Sequence, residues 1–184
     1  MKKRISVYID GANFYYGLKT INFRYSDVFF DFKKFIKEII KKDELIDVYY
    51  YNAPLKENLN KYVYWNQIRL FNRLKKIPNF KVVLCKRQKR LNQNDEEYYL
   101  IKGDDIHLAL DMLRDACKNK YDKAILISGD GDFVPLIQYV KEENKEVSCY
   151  CFGQSASKDL LKEIPKQNRF FINKKIINRN FLRK

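Results

Sequence analysis

Five aspartates stand where strands are expected to give way to helices: Asp10 in YIDGAN, Asp104 and Asp105 in KGDDIHLALDML, and Asp130 and Asp132 in LISGDGDF. Carboxylates that converge repel one another, which raises their pKa values, and a hard divalent cation relieves the repulsion. All-oxygen ligation favours Mg²⁺ or Mn²⁺ over zinc. One or two such ions polarise a phosphoryl oxygen, activate a water and stabilise a leaving oxygen, so the chemistry suggested is phosphodiester hydrolysis without a protein nucleophile. The bulk charge agrees with such a substrate. Lys and Arg number 37 against 23 acids, a formal net charge of +14 over 184 residues, and such a field concentrates polyanions at the surface. A lysine-biased surface with no partner is the plainer account of the charge alone.

Each acid has a structural reading beside the chemical one. Asp10 follows its strand directly, and Gly11 permits a sharp turn that aims the Asp10 carboxylate and the Asn13 amide into one crevice; the alternative is an ordinary turn closed by Asp and Asn. Asp132 could be the N-cap of the helix that Pro135 enters, whereas Asp130 has no evident capping role. Stepping by three and four from Asp105 meets Leu108, Ala109, Met112 and Ala116, so Asp105 is expected on the apolar face. Asp104 falls instead on a mixed, more exposed row with His107, Asp111 and Asp115. His107 is the only histidine and reads as a helix-face residue. A P-loop and GxGxxG are absent, and DGAN is not the paired DxD of aspartyl-phosphate phosphatases.

Cations and aromatics surround these motifs. Lys86, Arg87, Lys89 and Arg90 crowd one short segment, and Lys102 precedes the acidic helix. Phosphate contacts are their expected use, with a solvated loop as the alternative. Fourteen Tyr and thirteen Phe exceed what a core of this size requires, so Tyr15, Tyr16 and Tyr64 are candidates to stack unpaired bases. Tyr49 to Tyr51 are expected to divide between core and surface. Cys149 and Cys151 share a strand face as small buried hydrophobes. Four dispersed cysteines suggest no disulfide scaffold and hence a reducing, cytoplasmic setting.

The positioning elements follow from hydrophobic period. Strands are predicted at 5–9, 45–51, 80–85, 123–127 and 146–152, and helices at 32–41, 58–77, 104–118, 133–143 and 157–163. In the helix at 58–77, Tyr62, Trp65, Ile68, Leu74 and Ile77 form the expected apolar row. Segments 20–30 and 88–98 are expected as long loops. Strands alternating with helices predict an α/β, three-layer Rossmann-like domain whose mainly parallel sheet is flanked by helices, with ligands beyond the carboxyl ends of the strands. Length favours a single domain over 1–184, with a core at about 5–152 and a basic extension at 158–184. That extension carries nine cations against two acids and either clamps RNA or stays disordered, its last dozen residues fraying. The apolar run in MKKRISVYIDG is too short for a signal peptide, and no window suits a membrane helix, so a soluble protein is expected.

The motifs YIDGANFYYGL, KGDDIHLALDML and AILISGDGDFVPLIQYVKEENKEV, in that order, resemble the NYN domain of the PIN-like nuclease superfamily, and most closely its LabA-like group. The likeness spans Ile5 to about Phe152. It implies a PIN-like α/β fold and metal-dependent ribonuclease activity with Mg²⁺ or Mn²⁺. Carried over by position, Asp10, Asp105 and Asp130 are the principal ligands, Asp132 the fourth acid, Asn13 a polar partner of the site and Asp111 a supporting residue. Asp104 stands where an apolar residue is usual. The expected function is therefore a metal-dependent endoribonuclease acting on single-stranded or structured RNA, with no membrane contact and a homodimer left open. A noncatalytic RNA-binding or regulatory module of the same fold is the main alternative, and a small-molecule phosphohydrolase the lesser one.

Overall fold

The alternation of strand and helix signals becomes one six-stranded parallel sheet in the computed structural model, which describes residues 2–58, 60–91 and 97–178, with 97–101 as backbone only. Its strands are β1 (Arg4–Asp10), β2 (Glu44–Asn52), β3 (Phe80–Leu84), β6 (Lys123–Ile127), β7 (Glu146–Cys151) and β8 (Arg169–Phe171). The spatial order is β3-β2-β1-β6-β7-β8, and every pairing is parallel. The order reverses between β1 and β6, which opens a crevice at their carboxyl ends where such sheets bind ligands.

Helices α1 (Gly11–Ile21), α2 (Phe32–Ile40) and α3 (Lys61–Lys75) cover one face, where Val7, Ile9, Phe14, Phe32, Phe35 and Phe71 are buried. Helices α4 (Asp104–Cys117), α5 (Val134–Glu142) and α6 (Lys158–Glu163) cover the other, around Tyr8, Met112, Tyr121, Leu126, Phe133 and Ile137. The chain is thus a three-layer α/β fold. Most of the aromatic surplus is consumed here: Tyr8, Tyr50, Tyr51, Tyr121 and seven phenylalanines are fully buried. Tyr49, Tyr50 and Tyr51 do not divide between core and surface, because β2 is an interior strand covered on both faces.

Several elements depart from the sequence expectations. The turn expected after Asp10 is the first turn of α1, which runs through Ile21 into the supposed loop; a single 3₁₀ turn at Asp27–Phe29 fills more of it. The supposed loop at 88–98 is instead largely a ribbon of β4 (Lys86–Leu91) and β5 (Glu97–Lys102), paired antiparallel and separate from the main sheet; residues 92–96 lie outside the described ones. Tyr62 and Trp65 are exposed at the start of α3, whose buried residues are Leu70, Phe71 and Leu74. Beyond Lys158 the chain neither dangles nor frays through residue 178. Strand β8 extends the sheet, and Leu160, Ile164, Ile172 and Ile177, the last in α7 (Lys174–Ile177), are buried. Residues 179–184 lie outside the described ones.

Candidate active site

Strand β1 delivers Asp10 to the crevice, and the residue does two local jobs. One carboxylate oxygen caps α1 by accepting the Asn13 backbone N–H at 2.9 Å. The other accepts the Ser128 hydroxyl at 3.0 Å, which ties the end of β1 to the end of β6. The Asn13 side-chain oxygen accepts the Gly129 N–H at 3.1 Å and repeats the tie. Gly11 is required here for close approach rather than for a turn, since a Cβ would sit 2.6 Å from the Tyr51 carbonyl oxygen.

Across the crevice, β5 ends at Lys102 and α4 begins at Asp104. Gly103 joins them at φ +84°, a left-handed conformation that favours glycine. The helix presents its acids differently from the apolar-periodicity reading. Asp104 is buried and Asp105 only partly so, because the row Asp104, Leu108, Met112 and Asp115 faces the sheet. Counting only apolar residues rotated the expected face, since tyrosine hydroxyls of β1 and β2 make a polar stripe burial-compatible.

Asp130 supplies the third wall. Its carboxylate accepts the Asp132 N–H at 3.0 Å and caps the following 3₁₀ turn, so the capping role expected of Asp132 belongs to Asp130. Asp132 itself is exposed and outside the pocket lining, yet its charge acts on Asp105.

Asp10, Asn13, Asp104, Asp105 and Asp130 line one pocket of about 260 Å³, completed by Ala12, Tyr16, Gly17, Thr20 and Ser155. None of these lining residues carries a positive charge. Burial, followed by the fields of Asp105 and Asp104, pushes Asp10 up to about 7 despite its two hydrogen bonds. Burial and the neighbouring Asp104, Asp130 and Asp132 push Asp105 up to about 6. Oxygen donors of this kind suit a hard cation. Among the described residues, however, no three His, Cys, Asp or Glu side chains already form a group that could hold one.

The family model for the NYN domain matches residues 4–168, nearly the whole of this architecture. The chain belongs to the NYN domain family. The NYN domain is part of the PIN-like nuclease superfamily, which gives a nuclease-like hydrolase context, and such domains generally use divalent metal ions. The crystal structure of a protein of unknown function from Vibrio parahaemolyticus RIMD 2210633 superposes with a TM-score of 0.68; identity is 23%, covering 94% of each chain. That likeness shows the fold. Among curated proteins none matches significantly.

The remaining expected site residues of this NYN chain lie elsewhere. Asp111 accepts the Tyr51 hydroxyl at 3.0 Å and pairs with Arg114 at 2.6 Å, outside the pocket. His107 is exposed. Arg87 is engaged with the protein itself, its Nε and Nη2 donating to the Pro54 and Ala53 carbonyls at 3.1 and 3.4 Å. Lys86, Lys89, Arg90 and Lys102 are exposed on the ribbon. Tyr16 is 68% exposed at the pocket wall, whereas Tyr15 and Tyr64 are half-buried. Cys149 and Cys151 are buried on one strand face. Sequence reasoning missed Ser128 and Ser155; the only signal for Ser128 was a small hydroxyl residue at the end of an apolar strand. No described helix is long and apolar enough to cross a membrane.

Proposed function

We propose that this protein is a metal-dependent endoribonuclease in which Asp10, Asp105 and Asp130 are the principal ligands of Mg²⁺ or Mn²⁺, with Asp104 and Asp132 adding negative charge. One observation carries the reading: four carboxylates from three distant segments line a single pocket that has no cation of its own, in an NYN chain of net charge +14. As they stand the carboxylates form no ready cage, so ion entry must reorient side chains. When bound, the ion supplies the charge that polarises a phosphoryl oxygen and acidifies water.

The chain's own residues do the rest. Asn13 and Ser128 fix the Asp10 carboxyl in direction. In the metal-free pocket burial and like charges raise Asp10 to about 7, and an ion held there would keep it ionised as a ligand. The water oxygen bonds to phosphorus, the bond to the leaving ribose oxygen breaks, and the proton lost by the water ends on that oxygen. Tyr16 offers an exposed ring at the pocket wall on which an unpaired base can stack. RNA is the expected partner, and four free cysteines, three of them buried, favour a reducing cytoplasmic setting.

Incubation of the full chain with internally labelled RNA tests the proposal. Internal cleavage with Mn²⁺ that stops on adding chelator is expected; chelator-insensitive cleavage, or none with any RNA, refutes it. The missing preformed cage favours a second reading, a noncatalytic RNA-binding module. That reading requires RNA affinity to survive Asp105→Asn and Asp130→Asn and wild-type turnover to be absent.

A further inference from the structure

The ribbon of β4 and β5 has no place in the α/β core. It pairs with no third strand among the described residues, so both of its outer edges are open. Open edges invite association with other strands, and charged side chains are a common defence. Edge defence alone does not account for where the charges lie. Lys86 stands directly opposite Lys102 in the pairing register, and like charges directly opposed across a ribbon destabilise it. Among the described residues no carboxylate forms an ion pair with Lys86, Arg90 or Lys102. The far end has a different balance, with Leu91 opposite Glu97. Positive charge therefore runs along β4 from a root holding Lys86, Arg87 and Lys102 out to Lys89 and Arg90.

That root borders the acidic pocket. Lys102 is separated from Asp104 by Gly103 alone, and the other strand leaves β3 through buried Cys85. The fields of Asp104 and Asp105 help push the Cys85 thiol up to about 11, after burial. Arg87 bolts the ribbon to the loop after β2 through two backbone carbonyls. The arm is thus held at its base beside carboxylates that have no cation in their own pocket.

We propose that the β4–β5 ribbon is an arm that grips the phosphate backbone of RNA next to the scissile nucleotide, with Lys86, Arg90 and Lys102 making the contacts and Arg87 positioning the arm. This rests on the reading of the pocket as a nuclease site. Lys86 and Arg90 lie on one ribbon face four residues apart, about 13 Å along a strand. The substrate is accordingly a strand running several nucleotides past the cut, not a mononucleotide, and the contacts carry no base choice. A second copy of this chain is a poor occupant because its own ribbon brings the same charges.

Binding of a fluorescein-labelled single-stranded oligoribonucleotide by the full chain, in chelator so that nothing is cut, provides the test. The variant K86Q/R90Q/K102Q is expected to bind at least about 10-fold more weakly at low salt. Its plot of log affinity against log salt should flatten by about 2, near 0.7 for each lost phosphate contact. The control K33Q/K37Q/K75Q, with the same charge loss on exposed faces of α2 and α3, is expected to change both quantities little. Matching melting temperatures show that each variant is folded. Equal RNA affinity in the two triple variants overturns the proposal, as does loss of a sedimenting dimer in place of loss of RNA binding. Absence of wild-type cleavage in Mn²⁺ sinks the nuclease reading instead and leaves this binding difference intact.

Discussion

Helix α4 carries acids at both ends, and the two ends are treated oppositely. At its carboxyl end Asp115 accepts the hydroxyls of Tyr8 and Tyr49, each at 3.0 Å, and pairs with Arg114 at 3.1 Å and Lys120 at 3.4 Å. Nearby Asp47 meets Lys120 at 2.7 Å and Lys81 at 2.8 Å. At its amino end Asp104 and Asp105 face Asp10 and Asp130, with no basic side chain among the pocket residues. Burial acts on both groups. At the far end it is outweighed by two ammonium groups, so Asp47 falls below the ordinary range; at the pocket it is reinforced by like charges, so Asp10 and Asp105 rise. The fold satisfies one buried acid cluster with five donors and leaves the other without a counter-charge among the pocket residues, and the proposed ion site rests on that asymmetry.

The largest expected difference between the ends is catalytic. Asp10→Asn and Asp105→Asn should each lower Mn²⁺-dependent RNA cleavage by about 100-fold or more, the scale of losing one electrostatic stabiliser of a transition state. Asp115→Asn should leave the cleavage rate of the folded protein near that of wild type. A gel assay on the three variants decides; equal losses in all three erase the contrast.

Stability should show the reverse order. Asp115→Ala strands two buried tyrosine hydroxyls and two cations, at a cost of about 3 kcal/mol, read as a lowered urea midpoint. Asp105→Asn removes repulsion and should raise the metal-free melting temperature.

Acidity separates the ends again. Asp10 and Asp105 have folded pKa values raised from 3.8 to about 7 and about 6, so the folded state holds protons that the unfolded chain releases. Metal-free stability should therefore fall as pH rises from about 4 to about 7 and level off above. Asp47, lowered, contributes stability present above its ordinary value and lost as pH falls through its folded one. Melting curves across this range should show the upper slope shrink in Asp10→Asn, and Mn²⁺ should raise the melting temperature more at pH 7.5 than at pH 5. A flat profile contradicts the electrostatic account of the pocket.

The smallest effect is expected from Tyr8→Phe, which removes one of Asp115's donors and should cost about 1 kcal/mol with cleavage unchanged. A loss of cleavage would couple the two ends and weaken the contrast.

How much of this was legible beforehand depended on hydrophobic period. The parallel strands β1, β2, β3, β6 and β7 alternate or run apolar and were found within a residue or two. The ribbon was not, because KRQKRL is polar on both faces and so gives no period-2 apolar signal. Helix α1 was hidden by its opening DGAN, which reads as a turn, since the Asp10 cap and the first helical turn use the same residues. Of the tyrosines expected to stack on bases, only Tyr16 is exposed at the pocket wall, while Tyr15 and Tyr64 are half-buried.

From the amino acids alone follow the three-layer parallel fold and the placement of Asp10 and Asp130 at strand ends, because both rest on local period and strand termini. Which acid of α4 is buried, that Asp115 is neutralised while the pocket acids are not, and that a basic ribbon stands beside that pocket were decided by packing. Those outcomes depend on donors from distant strands, chiefly Tyr8 of β1 and Tyr49 of β2, whose proximity to α4 has no signature along the chain.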